Sequence, residues 1–300
     1  MNTEIASLEL ARELETAEVC AWLDLYQAAP PEFAKKFQLK THQTGSMVLL
    51  AARGLPALRF NRVLGWGLLE EPGEESLQEV FDFYRSCGVR RFLLHQILGC
   101  LPLEFLERLE SWGLQPAGNW ERIYRRDEPL ADDGLVLQAN LRAERVTGET
   151  AGLWADYIYS VYGLQNKPWL LCLVERPGWQ HYMLRDASDI LAVRSSFTVD
   201  GCLIWLGIEG PIPGLMTPAY EYDALLCRAI IKEGLAGGVR GFVADIEESS
   251  PYLNSPTYRH FSDLAFRRMY FRSNWVHDES SIRPGSAGPD VQALRSATQL

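Results

Sequence analysis

No apolar run in the 300-residue sequence approaches the ~20 residues that a membrane-spanning helix needs. The opening residues, among them Asn2, Glu4 and Glu9, include no apolar core of a secretion signal, so a cytoplasmic protein is expected. Basic tracts are missing too. Arginine greatly outnumbers lysine, the closest basic clusters are the pairs Arg90-Arg91 and Arg125-Arg126, and the formal charge is −10. A protein that grips a phosphate backbone draws its affinity from clustered cations, so neither nucleic acid nor an anionic membrane is an expected partner. The six cysteines, Cys20, Cys87, Cys100, Cys172, Cys202 and Cys227, include no C-x-x-C and no histidine at ligand spacing. No metal is implied, and buried reduced thiols are expected, as in the apolar stretch from Leu170 to Val174. No serine stands in a G-x-S-x-G setting and no Walker motif occurs, which removes two common routes to catalysis.

What remains is ordinary globular composition, 47% hydrophobic and 23% charged, in a chain long enough for one large or two medium domains. The first part reads as mixed α/β. Helical spacing runs from Thr16 to Ala29 and stops at Pro30-Pro31, with a second helix opening at Glu32. Apolar strand-like runs cover Gly45 to Ala52, Val63 to Leu69 and Arg91 to Ile97. Ser76 to Ser86 is amphipathic, with Leu77, Val80, Phe81 and Tyr84 on one face and Gly88 closing the helix. Leu103 to Ser111 predicts a further helix and Trp120 to Tyr124 a strand, before the acidic linker from Asp127 to Gly134.

The second part repeats this outline. A short strand is expected over Leu141 to Val146, a helix over Gly148 to Val161, and strands over Tyr182 to Leu184, Ile190 to Thr198 and Gly201 to Glu209. Asp200-Gly201 is a two-residue hairpin signal, which makes the last two antiparallel neighbours. Asp223 to Gly234 predicts a helix with Asp223 as its N-cap, and Gly241 to Ile246 another strand. Phe105 to Tyr124 and Thr257 to Val276 both read helix, bend, aromatic strand, with Trp120 and Trp275 near their ends. The expected organisation is therefore two tandem halves, 1–130 and 135–276, followed by a mobile polar tail, 277–300.

The order from Asp200 to Val276 resembles the GNAT superfamily of N-acetyltransferases, in particular bacterial proteins with two GNAT-like halves in tandem. Trp205-Leu206-Gly207, Ala224-Leu225-Leu226, the segment from Asn254 to Arg259 and the closing Phe271-Arg272-Ser273-Asn274-Trp275-Val276 carry the resemblance. Phe60-Asn61-Arg62-Val63-Leu64-Gly65 and the segment from Phe83 to Phe92 resemble the first half of such proteins. The implied fold class is α/β, a mixed sheet in two tandem acyl-CoA N-acyltransferase halves, with acetyl-CoA as co-substrate and a small-molecule amine or peptide as acceptor. In that fold a central strand splays from its neighbour and offers backbone groups to the pantetheine arm, a part implied here for Leu206, Gly207 and Ile208. Gly214 and Asn254 are the further cofactor-binding residues that it implies. It also implies Glu209 as catalytic base, since a carboxylate in a dry cleft has its basicity raised.

The family's phosphate loop carries glycines, whereas this chain has Pro213 to Asp223 there. Pro218 removes a donor, and Glu221 with Asp223 brings negative charge to the end of a helix that should attract an anion. The family's acid, a tyrosine seven residues past the asparagine, falls on Phe261, so Tyr258 is the implied substitute. Trp154, Tyr157, Tyr159, Tyr162 and Trp169 are either an acceptor-binding wall or core. Two functions stay open at this level: an N-acetyltransferase, and an inactive relative that binds a small ligand or protein partner.

Overall fold

The first helix begins where Ser7 accepts a hydrogen bond from Leu10 N at 3.2 Å, a side-chain cap that starts it well before the Thr16 expected from periodicity. The computed structural model describes residues 7–55, 57–69, 72–97, 103–131, 140–163, 166–187, 189–210, 219–247 and 256–279. In chain order the elements are α1 (Leu8–Gln27), α2 (Pro31–Phe37), β1 (Leu39–Thr44), β2 (Met47–Ala52), β3 (Arg62–Leu64), α3 (Glu74–Cys87), β4 (Arg91–Ile97), α4 (Leu103–Ser111) and β5 (Leu114–Arg126). They continue with β6 (Arg142–Arg145), α5 (Ala151–Tyr162), α6 (Lys167–Leu171), β7 (Trp179–Arg185), β8 (Ile190–Val199), β9 (Leu203–Gly210), α7 (Ala219–Ala236), β10 (Gly241–Glu247), α8 (Pro256–Asp263) and β11 (Arg267–Asp278). No helix among the described residues is long and apolar enough to cross a membrane. The polar tail lies outside the described residues from 280 onward.

Two compact units result: Met1–Ala34 with Glu121–Tyr270, and Lys35–Trp120 with Phe271–Leu300. These cuts differ from the sequence-based halves 1–130 and 135–276, because the ends of the chain join the half that is remote in sequence. In the smaller unit the strand order is β1-β2-β3-β4-β11, with β3 and β4 parallel and the other neighbours antiparallel. The larger unit has β5-β10-β9-β8-β7-β6, again with one parallel pair, β10 with β9, and antiparallel pairing from β9 outward to β6. Along the chain, each parallel pair is followed by a helix, a bend and a long strand: α4, Gly113 (φ 80°), β5 after the first and α8, Ala265 (φ 62°), β11 after the second. The repeat in outline is thus a repeat in architecture.

Charge and aromatic pairing explain why α1 belongs to the larger unit. The fully buried guanidinium of Arg122 on β5 donates to Glu15 and Glu18 of α1 at 3.0 and 2.7 Å and to Asp245 of β10 at 3.1 Å. Further along, Asp24 takes both Arg176, at 2.7 and 2.8 Å, and the Trp179 indole at 2.7 Å. Trp22 meets Trp205 edge to face. In the smaller unit, Tyr84 of α3 stacks on Phe92 at 4.1 Å within a core that includes Leu77, Val80 and Leu94.

Local signals held where one residue decides the backbone. Asp200 and Gly201 both have positive φ, 49° and 67°, and Cys202 N bonds Val199 O at 2.9 Å, a tight hairpin of the expected kind. Gly88 closes α3 at φ 66°. The apolar stretch from Val63 to Leu69 keeps strand geometry only to Leu64, because Gly65 and Gly67 turn the chain at φ 70° and 74°. The expectation of buried thiols holds for Cys87 and Cys227, whereas Cys172, in its apolar run, is exposed.

Candidate functional site

Strands β9 and β10 are registered Leu203 to Gly241, Ile204 to Phe242 and Trp205 to Val243, and the ladder extends no further although they run on to Gly210 and Glu247. The segment Leu206-Gly207-Ile208 therefore lies beyond the end of the pairing. On its other edge β9 shifts register against β8 between Arg194 and Ser195, so that Glu209 faces Arg194 and Gly207 faces Ser195, with Ile208 as the extra residue of a bulge. Ile208 sits at φ 47°. A β-branched side chain in the left-handed region is strained, by about 1–3 kcal/mol, and such strain concentrates where a backbone has work to do.

Gly207 is needed for a different reason. The Trp205 indole folds along the strand over it, and a Cβ at 207 would lie 1.9 Å from that ring. Gly207→Ala is expected to lower the unfolding free energy by about 2 kcal/mol, by overpacking, and urea denaturation measures it. On the opposite face Phe261 of α8 joins a core with Leu206 of β9, Ala244 and Ile246 of β10, and Leu226 and Ile230 of α7. Two of these residues, Leu206 and Ile246, stand past the last paired position, so α8 and α7 pack over the splayed stretch.

Beneath those helices lies a buried charged group that sequence reasoning did not bring together. Arg194 of β8 grips Asp223 of α7 with Nε to Oδ1 at 2.5 Å and Nη2 to Oδ2 at 2.9 Å. His260 of α8 meets the same Oδ2 through Nε2 at 2.8 Å. The guanidinium and the imidazole N–H hold the Asp223 carboxyl well below the usual carboxylate range, against the opposing effect of burial. Asp223 accordingly stays ionised and can only accept, which makes the His260 Nε2–H the donor of this bond. Arg194 also stacks over Phe261 at 5.7 Å. Its Nη2 reaches Glu209 Oε2 at 3.5 Å, so one ion-pair network runs from the β9 bulge to α8.

The expected N-cap is thereby corrected. α7 starts at Ala219, and Asp223, already inside it, points into the core because Arg194 is there to receive it. Of the two carboxylates set against an anion at this helix end, only Glu221, exposed in the first turn, still counts. Glu209 stands at the end of β9 as expected, but its side chain is 35% exposed and turned to a guanidinium, so the dry carboxylate environment is not found. Tyr258 lies on α8, with its side chain outside the description; Gly214, Pro218 and Asn254 fall outside the described residues. Phe261 is core.

The aromatic group splits. Trp154 is buried against His181 at 4.1 Å, and Trp169 against Tyr26, its indole donating to Leu25 O at 2.5 Å, so both are core. Tyr157 donates to Leu191 O at 2.7 Å, Tyr159 is exposed, and Tyr162 donates to the backbone carbonyl of Glu209. Tyr162 thus ties the end of α5 to the bulge.

Asp223, Cys227 and His260 bring possible ligand atoms within 4.8 Å of one another. Their chemistry does not suit a metal. Burial pushes the Cys227 thiol up, away from the thiolate that a metal binds, and Arg194 already supplies Asp223 with the positive charge that a metal cation would bring.

No family model matches the chain, and no curated protein does. Solved structures do. A GCN5-related N-acetyltransferase from Kribbella flavida is similar at a TM-score of 0.57 and 12% identity, over 89% of this chain and 95% of that one. A GCN5-related N-acetyltransferase from Sphaerobacter thermophilus gives 0.54 and 12%, over 78% and 81%. A tandem GNAT protein from the clavulanic acid biosynthesis pathway gives 0.53 and 13%, over 77% of each chain. At these identities the likeness is one of fold, and the fold is that of the GNAT acetyltransferases.

Proposed function

We propose that this chain is an acyl-CoA-dependent N-acyltransferase that moves an acetyl group from acetyl-CoA to an amine of a small molecule or peptide. The observation that supports it most is the end of the β9–β10 ladder at Trp205 and Val243, with Ile208 strained into a bulge just beyond. A strand edge released in this way accepts an extended ligand by main-chain hydrogen bonds, and the amides of a pantetheine arm suit the backbone of Leu206, Gly207 and Ile208. The pyrophosphate would then meet the N-terminus of α7, with Gly214 and Asn254 as the further cofactor-binding residues of this reading. Glu209, half-buried at the bulge, takes the proton released as the amine attacks the thioester carbonyl, and α8, which carries Tyr258, supplies the proton for the departing sulfur.

A second reading, an inactive relative that binds a ligand or partner in the same cleft, draws on two observations: Glu209 is engaged by Arg194, and Phe261 is buried in the core. Thermal-shift titration separates them. Acetyl-CoA at a hundred times its dissociation constant should stabilise the protein by about 2.7 kcal/mol, read as a raised melting temperature. An unchanged melting temperature at millimolar acetyl-CoA would remove the acyltransferase reading. Given binding, Glu209→Gln is expected to slow acyl transfer at least tenfold and leave that shift in place.

A further inference from the structure

We propose that His260, held by Asp223, is the proton carrier of this cleft and delivers its proton from Nδ1 to the sulfur of coenzyme A as the thioester breaks. This rests on the acyltransferase reading and gives His260, in place of Tyr258, the part of proton donor within it.

The geometry has three parts. Asp223 is fixed by a bidentate guanidinium, at 2.5 and 2.9 Å, and so cannot turn away from the imidazole. His260 spends Nε2 on Asp223 at 2.8 Å, which orients the ring and leaves Nδ1 as the site that gains and loses a proton. The next residue, Phe261, anchors α8 against Leu206 and Ile246, both past the last paired position of the splaying strands. Among the described residues, the charged and titratable groups facing the ring are Asp223 and Cys227 of α7 and, behind Asp223, Arg194 of β8 with Glu209 of β9. An apolar filling of this space would be as stable as a buried ion-pair group or more so, and buried charge beside a cleft is where proton chemistry is found.

In the step itself the amine nitrogen bonds to the thioester carbon, and the carbon–sulfur pair leaves with sulfur. The imidazolium proton on Nδ1 moves to that sulfur, while the proton lost by the amine goes to Glu209. Exchange with solvent returns both groups to their starting states.

The test needs no acceptor. Coenzyme A is added to the full chain and its thiol is titrated by thiolate absorbance in wild type, His260→Gln, Asp223→Asn and Tyr258→Phe. The amide of His260→Gln can still donate to Asp223 but has no proton to deliver; a melting curve checks that each variant folds, and His260→Asn serves if Gln does not. In wild type, the bound thiol is expected to titrate about one unit or more below the ordinary thiol value of about 8.5, a tenfold gain in acidity, because the proton passes to His260. It should return to the ordinary value in His260→Gln, move part of the way in Asp223→Asn and stay lowered in Tyr258→Phe. If coenzyme A binds and its thiol titrates alike in wild type and the His260 variants, His260 is not the carrier and the acyltransferase reading stands. Loss of the lowering in Tyr258→Phe alone assigns the proton to Tyr258 and likewise overturns the proposal. If wild type fails to bind coenzyme A, both readings fall.

Discussion

Arg194→Met is expected to cost about 3–5 kcal/mol of stability, because it leaves the Asp223 carboxylate buried without its guanidinium. Arg194 is 2% exposed and Asp223 3%, so water cannot replace the lost partner. Chemical denaturation of wild type, Arg194→Met and the double variant Arg194→Met/Asp223→Leu decides the matter. The double variant should recover most of the loss, since an apolar pair of similar volume removes the stranded charge. A single variant within about 1 kcal/mol of wild type would show that the pair is not buried as described.

Acid should destabilise the larger unit through His181, the second large effect. Its Nε2–H donates to Leu173 O at 3.2 Å, its Nδ1 accepts from the Ser195 hydroxyl at 2.8 Å, and Trp154 covers the ring. Desolvation, with Arg145 adding to it, pushes the imidazole down to about 4, against 6.5 when exposed. With the folded value depressed, the folded protein keeps the ring neutral while the unfolded chain binds a proton. The contribution is complete above about pH 6.5, declines as pH falls, and is exhausted near pH 4, a loss of about 3 kcal/mol. Stability of wild type relative to His181→Phe, followed by urea denaturation from pH 7.5 to 4, should fall by that amount across the window. A constant difference would mean that His181 takes up its proton in the fold as readily as in the unfolded chain.

The same residues show what the sequence made legible. Asp200-Gly201 and Gly88 were readable because each must adopt a left-handed backbone that few residues accept. The end of β9 and the helix after it were readable from apolar pattern. β1 was not: its residues after Leu39 are exposed and polar, and only pairing with the fully buried β2 makes it a strand. Asp223 was misplaced because an acidic residue near a helix start looks like a cap, and the deciding fact is an arginine 29 positions earlier. His260 reads as a lone histidine for a like reason, since its partner is 37 residues away. The strain at Ile208 has no sequence signal at all, because isoleucine is an ordinary strand residue.

The path of the chain through the two units sets the order in which they can be completed. A ribosome that has made residue 130 has finished neither, for α1 and the later residues of β5 belong with β7 to β10, still unmade. The larger unit is complete in composition only at Tyr270, and the smaller only when the rest of β11 follows. β1 to β4 can pair among themselves, but the edge of β4 that takes β11 must wait through more than a hundred residues of synthesis, the interval in which exposed edges invite aggregation and chaperones act. Cutting the gene at the linker after Asp127 would yield two pieces that each hold another unit's strand, and co-expression of both should be needed to recover either.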